Sequence, residues 1–197
     1  MAFPRLVRVP EAPQNALAER TDDELMKLAQ AGLKSAFEVL VERHARRVVA
    51  LCSRFVNDPQ LGRELAQDTW VMVWQRRESY HADGGFLSWL VTVARNHCRN
   101  QLRRRKLAAA HEQAAPAGDA GSSSAQLDEL LVEERRRRVR AALSELSSPL
   151  REALLLRYAE ELRYDQMTIV VGTGESTLRS RVHHALKALK QKLEKES

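Results

Sequence analysis

Residues 162–192 read LRYDQMTIVVGTGESTLRSRVHHALKALKQK. Two helical stretches, about Arg163–Val171 and Glu175–Lys195, are joined by Gly172-Thr173-Gly174. Glycine ends a helix readily, because without a Cβ it enters the left-handed conformation at little cost. Leu178, Val182, Ala185 and Leu189 recur at helical spacing and form an apolar stripe. The opposite face carries Arg179, Arg181, His183, His184, Lys187 and Lys190. Two helices on a short glycine-bearing turn, the second one basic, predict a helix-turn-helix. Its second helix would enter a major groove with its N-terminal residues at the base edges. Thr177, Arg179, Ser180 and Arg181 have the chemistry for phosphates and for guanine edges. Many helical hairpins are basic without binding DNA, so the rest of the chain has to be read beside this one.

Outward from that hairpin the chain is built of helix formers. Ser147-Ser148-Pro149 caps a helix carrying Leu150, Leu154, Leu155 and Tyr158, and another runs from Leu127 to about Leu146. Residues 107–126, LAAAHEQAAPAGDAGSSSAQ, hold small and polar residues after Leu107 and are expected to be a flexible linker. Further back, Thr21-Asp22-Asp23-Glu24 reads as a capping box opening a helix with Leu25, Leu28 and Ala29 on its apolar face. After Gly32 a second helix places Phe37, Leu40, Val41, His44, Val48 and Leu51 at helical spacing. Asn57-Asp58-Pro59 marks a turn, and a third helix spans about Pro59–Arg77 with Leu61, Leu65, Trp70, Val73 and Trp74 inward. Tyr80–Gly85 is a loop by composition, and a fourth helix runs from Phe86 to about Lys106. The expected fold is all-α: two small helical domains on a flexible linker, the second a helix-turn-helix domain. The divisions are an N-terminal extension 1–20, a first domain 21–106, the linker 107–126 and a second domain 127–197.

The segment Trp70–Lys106 carries the second functional signal. Five of the ten aromatic residues, Trp70, Trp74, Tyr80, Phe86 and Trp89, fall within it. Arg95, Arg99, Arg103, Arg104, Arg105 and Lys106 follow, with no acidic residue between 84 and 111. Arg95, Arg99 and Arg103 are four apart and share a helix face. Such a face tracks a phosphate backbone, and neighbouring aromatics stack on unpaired bases. Core packing is the favoured reading of the tryptophans, whereas a run of uncompensated like charge is hard to explain without a polyanion. A third stretch, Arg63-Glu64-Leu65-Ala66-Gln67-Asp68-Thr69-Trp70, reads on pattern alone as an ordinary amphipathic helix.

Composition narrows the classes. The chain has 197 residues, 44% hydrophobic and 29% charged, and carries a net charge of +6, which suits a polyanionic partner. No apolar run is long enough to span a bilayer, and residues 1–20, with three prolines, lack the apolar core of a secretory signal. Cys52 and Cys98, alone and far apart, form no disulfide framework or cysteine-rich zinc site and fit a reducing cytosol. A basic helix around Cys98 would lower its thiol pKa; a small half-buried residue is the plainer reading. His183 and His184 point about 100° apart on a helix and chelate poorly, so no metal site is expected. No phosphate-binding glycine loop, Ser/His/Asp set or paired carboxylates can be located, so the chain reads as a non-enzyme without a cofactor.

RELAQDTWVMVW, FLSWLVTVARNHCRNQLRRRK and LSELSSPLREALLLRYAEELRYDQMTIVVGTGESTLRSRVHHALKAL, in this order, resemble the bacterial sigma-70 family. The layout without a middle domain is similar to its extracytoplasmic-function class. The resemblance covers about residues 21–106 and 130–193. It implies that the helix bearing Glu64, Leu65, Gln67, Asp68 and Trp74 grips a coiled coil of core RNA polymerase. It also implies that the loop with Tyr80, His81 and Asp83 captures a flipped base of the minus-10 promoter element. Phe86, Trp89, Arg95, Asn96, Arg99 and Arg103 would melt and read that element, and a pocket must return the unstacking cost. Ser176, Thr177, Arg179, Ser180, Arg181 and His184 would begin and line the minus-35 recognition helix.

Three positions depart from the family pattern: Ser176 replaces the usual Gly, Thr168 the usual Ala, and Arg163 a small residue. The class also implies a cytoplasmic protein, monomeric when free, with an anti-sigma partner. A stand-alone helix-turn-helix regulator is the alternative, and an RNA-binding or antitermination protein a weaker one.

Overall fold

The computed structural model describes residues 17–81, 85–111 and 127–195. Most of the expected tail and linker, together with Asp83, lie outside the described residues. Among the described residues the chain is all-α. It divides into two units, Met1–Cys98 and Arg99–Ser197.

The first unit holds α1 (Asp22–Gln30), α2 (Lys34–Val56), α3 (Pro59–Gln75), a 3-10 turn at Arg77–Ser79 and the start of α4 (Phe86–His111), which continues beyond Cys98. The capping box at the start of α1 forms as read. Thr21 Oγ1 accepts from the Glu24 amide at 3.3 Å, and the Thr21 amide donates back to Glu24 Oε2 at 2.8 Å. Between α2 and α3, Asn57 turns left-handed (φ 56°) and Asp58 accepts from the Gln60 and Leu61 amides at 3.0 Å each. Pro59 then starts α3 where its missing N–H costs nothing. Leu25, Met26, Leu40, Leu51, Leu65, Val73, Leu90 and Ala94 fill the core. Each fully buried leucine contributes about 1.5–3 kcal/mol. Helix α4 continues five residues beyond the expected end at Lys106, to His111, because Leu107 and three alanines are strong helix formers.

In the second unit α5 spans Leu127–Ser144, α6 Ser148–Leu154, α7 Tyr164–Val171 and α8 Glu175–Lys195. Helix α8 packs against α5, α6 and α7. Ser147 occupies the N-cap position of α6, but its side chain makes no capping bond; its carbonyl instead accepts from Leu150 and Arg151 at 3.0 Å. Helix α6 passes into a π-turn at Leu155–Ala159; Ala153 and Leu154 of the helix and Leu155 and Leu156 of the turn are buried in succession. Glu161 then takes φ 55°, and Gly172 takes φ 71° at the end of α7.

Candidate functional site

In the second unit Leu178, Val182 and Ala185 are buried, which turns the other side of α8 outward. Ser176, Thr177, Arg179, Ser180, His183 and His184 are exposed and Arg181 is half-buried. The first turns of α8 therefore present hydroxyls and guanidiniums together. Arg179 is held from two sides. Its Nε donates to Glu175 Oε1 at 2.8 Å, and its Cζ stands 4.4 Å from the centroid of the Tyr164 ring. The Arg157 Cζ lies 5.5 Å from the same ring.

The basic face of α4 is narrower than its sequence spacing indicates. Asn96, Arg99 and Arg103 are exposed, but Arg95 is only 4% exposed, and its Nη1 donates to Asn96 Oδ1 at 3.2 Å. Arg95 thus supports the face from within instead of presenting charge. Tyr80 and Phe86 are likewise buried, Trp89 is half-buried and His81 is exposed. The Tyr80 ring meets Phe86 edge-on at 5.8 Å and Trp89 at 5.2 Å. These aromatics form a packed wall, with Tyr80 and Phe86 in the core instead of at the surface.

Helix α1 braces this wall through contacts that the sequence pattern did not reveal. Gln30 Nε2 donates to the carbonyls of Arg77 at 2.7 Å and Tyr80 at 2.9 Å, spanning the 3-10 turn. The Tyr80 hydroxyl donates to Asp23. Asp22 meets His44 Nε2 at 2.7 Å and Arg43 Nη1 at 2.9 Å, and the His44 ring lies 5.6 Å from Phe86. Burial pushes the Asp22 carboxyl up, but the hydrogen bonds from His44 and Arg43 outweigh it and leave the pKa below the usual range. The sequence pattern held Asp22 and Asp23 only as members of the capping box and His44 only as a member of the α2 face, and gave Gln30 and Arg43 no signal.

On α3, Glu64, Gln67 and Asp68 are exposed, Trp74 is half-buried and Leu65 is buried. Leu65 points into the core and seats the helix. Trp74 packs against Phe37 with centroids 5.0 Å apart, and the Arg77 Cζ sits 4.3 Å above its ring. Asp68 Oδ2 lies 3.5 Å from His97 Nε2 on α4. Elsewhere, Cys52 and Cys98 are both buried, and a hydrogen bond with Cys52, then burial, pushes the Cys98 thiol far up. The basic helix therefore does not activate it. No cluster of three or more potential metal-ligating side chains occurs among the described residues. No described helix is long and apolar enough to cross a membrane.

Residues 40–108 match sigma-70 region 2, and residues 136–189 match sigma-70 region 4. The chain belongs to the sigma-70 family of transcription initiation factors, in its extracytoplasmic-function class. The chain is 29% identical over 192 residues to the RNA polymerase sigma-H factor of Pseudomonas aeruginosa, covering 90% of this chain and 96% of that one. It is 27% identical over 182 residues to the ECF RNA polymerase sigma-E factor of Haemophilus influenzae, covering 88% and 96%. The fold resembles the sigma factor RpoE of Bartonella quintana, solved with the anti-sigma factor NepR (TM-score 0.70, 23% identity, 80% of this chain and 96% of that one). It equally resembles CnrH, solved with the cytosolic domain of CnrY (TM-score 0.69, 22% identity, 89% and 99%).

Proposed function

We propose that this chain binds bacterial core RNA polymerase and directs promoter-specific initiation by reading minus-35 and minus-10 elements and opening the latter. The observation that carries the reading is the pairing of two outward polar and basic faces, on α4 and on α8, each backed by a buried apolar stripe. In this reading residues 21–106 form the polymerase-binding and minus-10 domain, and residues 127–197 the minus-35 domain. Glu64, Gln67, Asp68 and Trp74 contact polymerase, with Leu65 behind them. His81, Trp89, Asn96, Arg99 and Arg103 meet the minus-10 strand, supported by Tyr80, Phe86 and Arg95; Asp83 belongs to the same loop. Ser176, Thr177, Arg179, Ser180, Arg181 and His184 meet the minus-35 duplex. The chemistry of RNA synthesis stays with the polymerase, and the factor needs no cofactor of its own. The sigma factor RpoE, whose fold it resembles, was solved with the anti-sigma factor NepR, which supports an anti-sigma protein holding this factor in the cytoplasm until it is needed.

The test mixes the purified chain with core polymerase lacking any sigma factor, then transcribes a library of promoter fragments. Salt-resistant co-elution and start-site-specific transcripts are expected. No association, with tight duplex binding by a dimer of the free chain, would overturn the reading in favour of a stand-alone regulator.

A further inference from the structure

We propose that Tyr164 and Glu175 are positioning residues that preset the Arg179 guanidinium for a guanine edge, an inference that rests on the minus-35 reading above. Arg179 is exposed, and an exposed arginine has its rotamer freedom to lose on binding. Here much of that freedom is already gone. The Glu175 carboxylate, one helical turn earlier, accepts from Nε at 2.8 Å and Nη2 at 2.5 Å. The Tyr164 ring, from the first helix of the hairpin, stacks at 4.4 Å. Tyr164 opens α7, where the Arg163 amide donates to Gln166 Oε1 at 2.9 Å.

The geometry divides the guanidinium into two edges. Glu175 takes the Nε side, while Nη1 makes no hydrogen bond among the described residues. The outer Nη1/Nη2 edge has the fork spacing that matches guanine O6 and N7. Glu175 acts on specificity in a second way. A phosphate contact by Arg179 has to compete with the ion pair, so sequence-independent binding is weakened while a bidentate base contact on the outer edge is not. The cradle thus exchanges general affinity for discrimination.

The test uses the full chain assembled with core polymerase and a duplex library randomised across the minus-35 element, with bound sequences counted. Arg179→Ala is expected to lower the guanine preference at one or two neighbouring positions roughly tenfold or more. Tyr164→Leu should flatten the same positions, and Tyr164→Phe, which keeps the ring, should restore them. Glu175→Gln should bind every sequence more tightly with a flatter preference. Wild-type preference in both Tyr164→Leu and Glu175→Gln, at positions that Arg179→Ala flattens, overturns the cradle and leaves the minus-35 reading standing. An unchanged profile in Arg179→Ala overturns both. If Tyr164→Leu melts early, Glu175→Gln at its exposed position decides alone: an unchanged profile there overturns the cradle.

Discussion

A Cβ added to Gly62 would lie 2.5 Å from the Ser53 Cα and 2.6 Å from the Ser53 nitrogen, so α3 crosses α2 where only a hydrogen atom fits. Neither backbone can yield without moving its whole helix. Gly62→Ala should therefore destabilise the first unit by about 2–3 kcal/mol, although alanine elsewhere in a helix gains up to about 1 kcal/mol over glycine. Urea unfolding checks the sign. Gly174→Ala, whose added Cβ meets nothing within 4 Å, serves as the near-neutral control.

Asp22 links α1 to α2 through His44 and Arg43, and its pKa is lowered in the folded chain. A depressed carboxyl pKa contributes stability above the unfolded value, near pH 4, and loses it as pH falls through the folded value. Unfolding free energies measured from pH 6 down to pH 3 should fall more steeply for the wild type than for Asp22→Asn. Parallel curves would remove Asp22 from the acid response.

Both thiols are buried, and contact with Cys52 together with burial raises the Cys98 pKa. A thiol-specific reagent at neutral pH should leave both cysteines unmodified in the folded chain. Labelling should begin only under denaturant, at the rate of unfolding. Rapid labelling under native conditions would contradict the burial.

Arg95 and Arg99 lie one turn apart on one helix, the first buried and the second exposed. The exposed Arg99 and Arg103 are expected to contribute phosphate contacts, each alanine variant reducing the log–log salt slope of promoter binding by about one. Arg95→Ala should leave that slope nearly unchanged and instead lower the thermal midpoint, since a buried side chain is lost. Filter binding across a salt series, with melting curves, separates the two effects.

Glu161 holds a left-handed backbone (φ 55°) although it carries the Cβ that glycine lacks. Relief of that strain, less the entropy that glycine adds to the unfolded chain, should make Glu161→Gly more stable by roughly 0.5–1 kcal/mol. Thermal denaturation would read this as a rise of a few degrees in Tm.

Local rules written into adjacent residues were legible before the structure. Thr21 with Glu24, Asp58 with Pro59, and Gly172 each specify a helix end by short-range chemistry, and each forms as read. Arg95 was misplaced because a four-residue step advances the helix by about 40° beyond a full turn. Arg95 and Arg103 therefore stand about 80° apart, and spacing alone cannot say which edge of the arc meets the core. Gly62 left no trace in the pattern, because its requirement lies in Ser53 on another helix. Gln30 and Asp23 were missed for the same reason, since their partners lie at Arg77 and Tyr80.

The Gln30 side chain faces two carbonyl oxygens and no donor in its hydrogen bonds to them. By helix propensity glutamine and glutamate are almost interchangeable, so a substitution table scores their exchange as mild. At position 30 a carboxylate would set oxygen against oxygen twice over. Hydrolysis of that one amide during storage, an ageing reaction that adds about one dalton, would undo the brace between α1 and the aromatic wall while leaving mass, helicity and shape almost as they were.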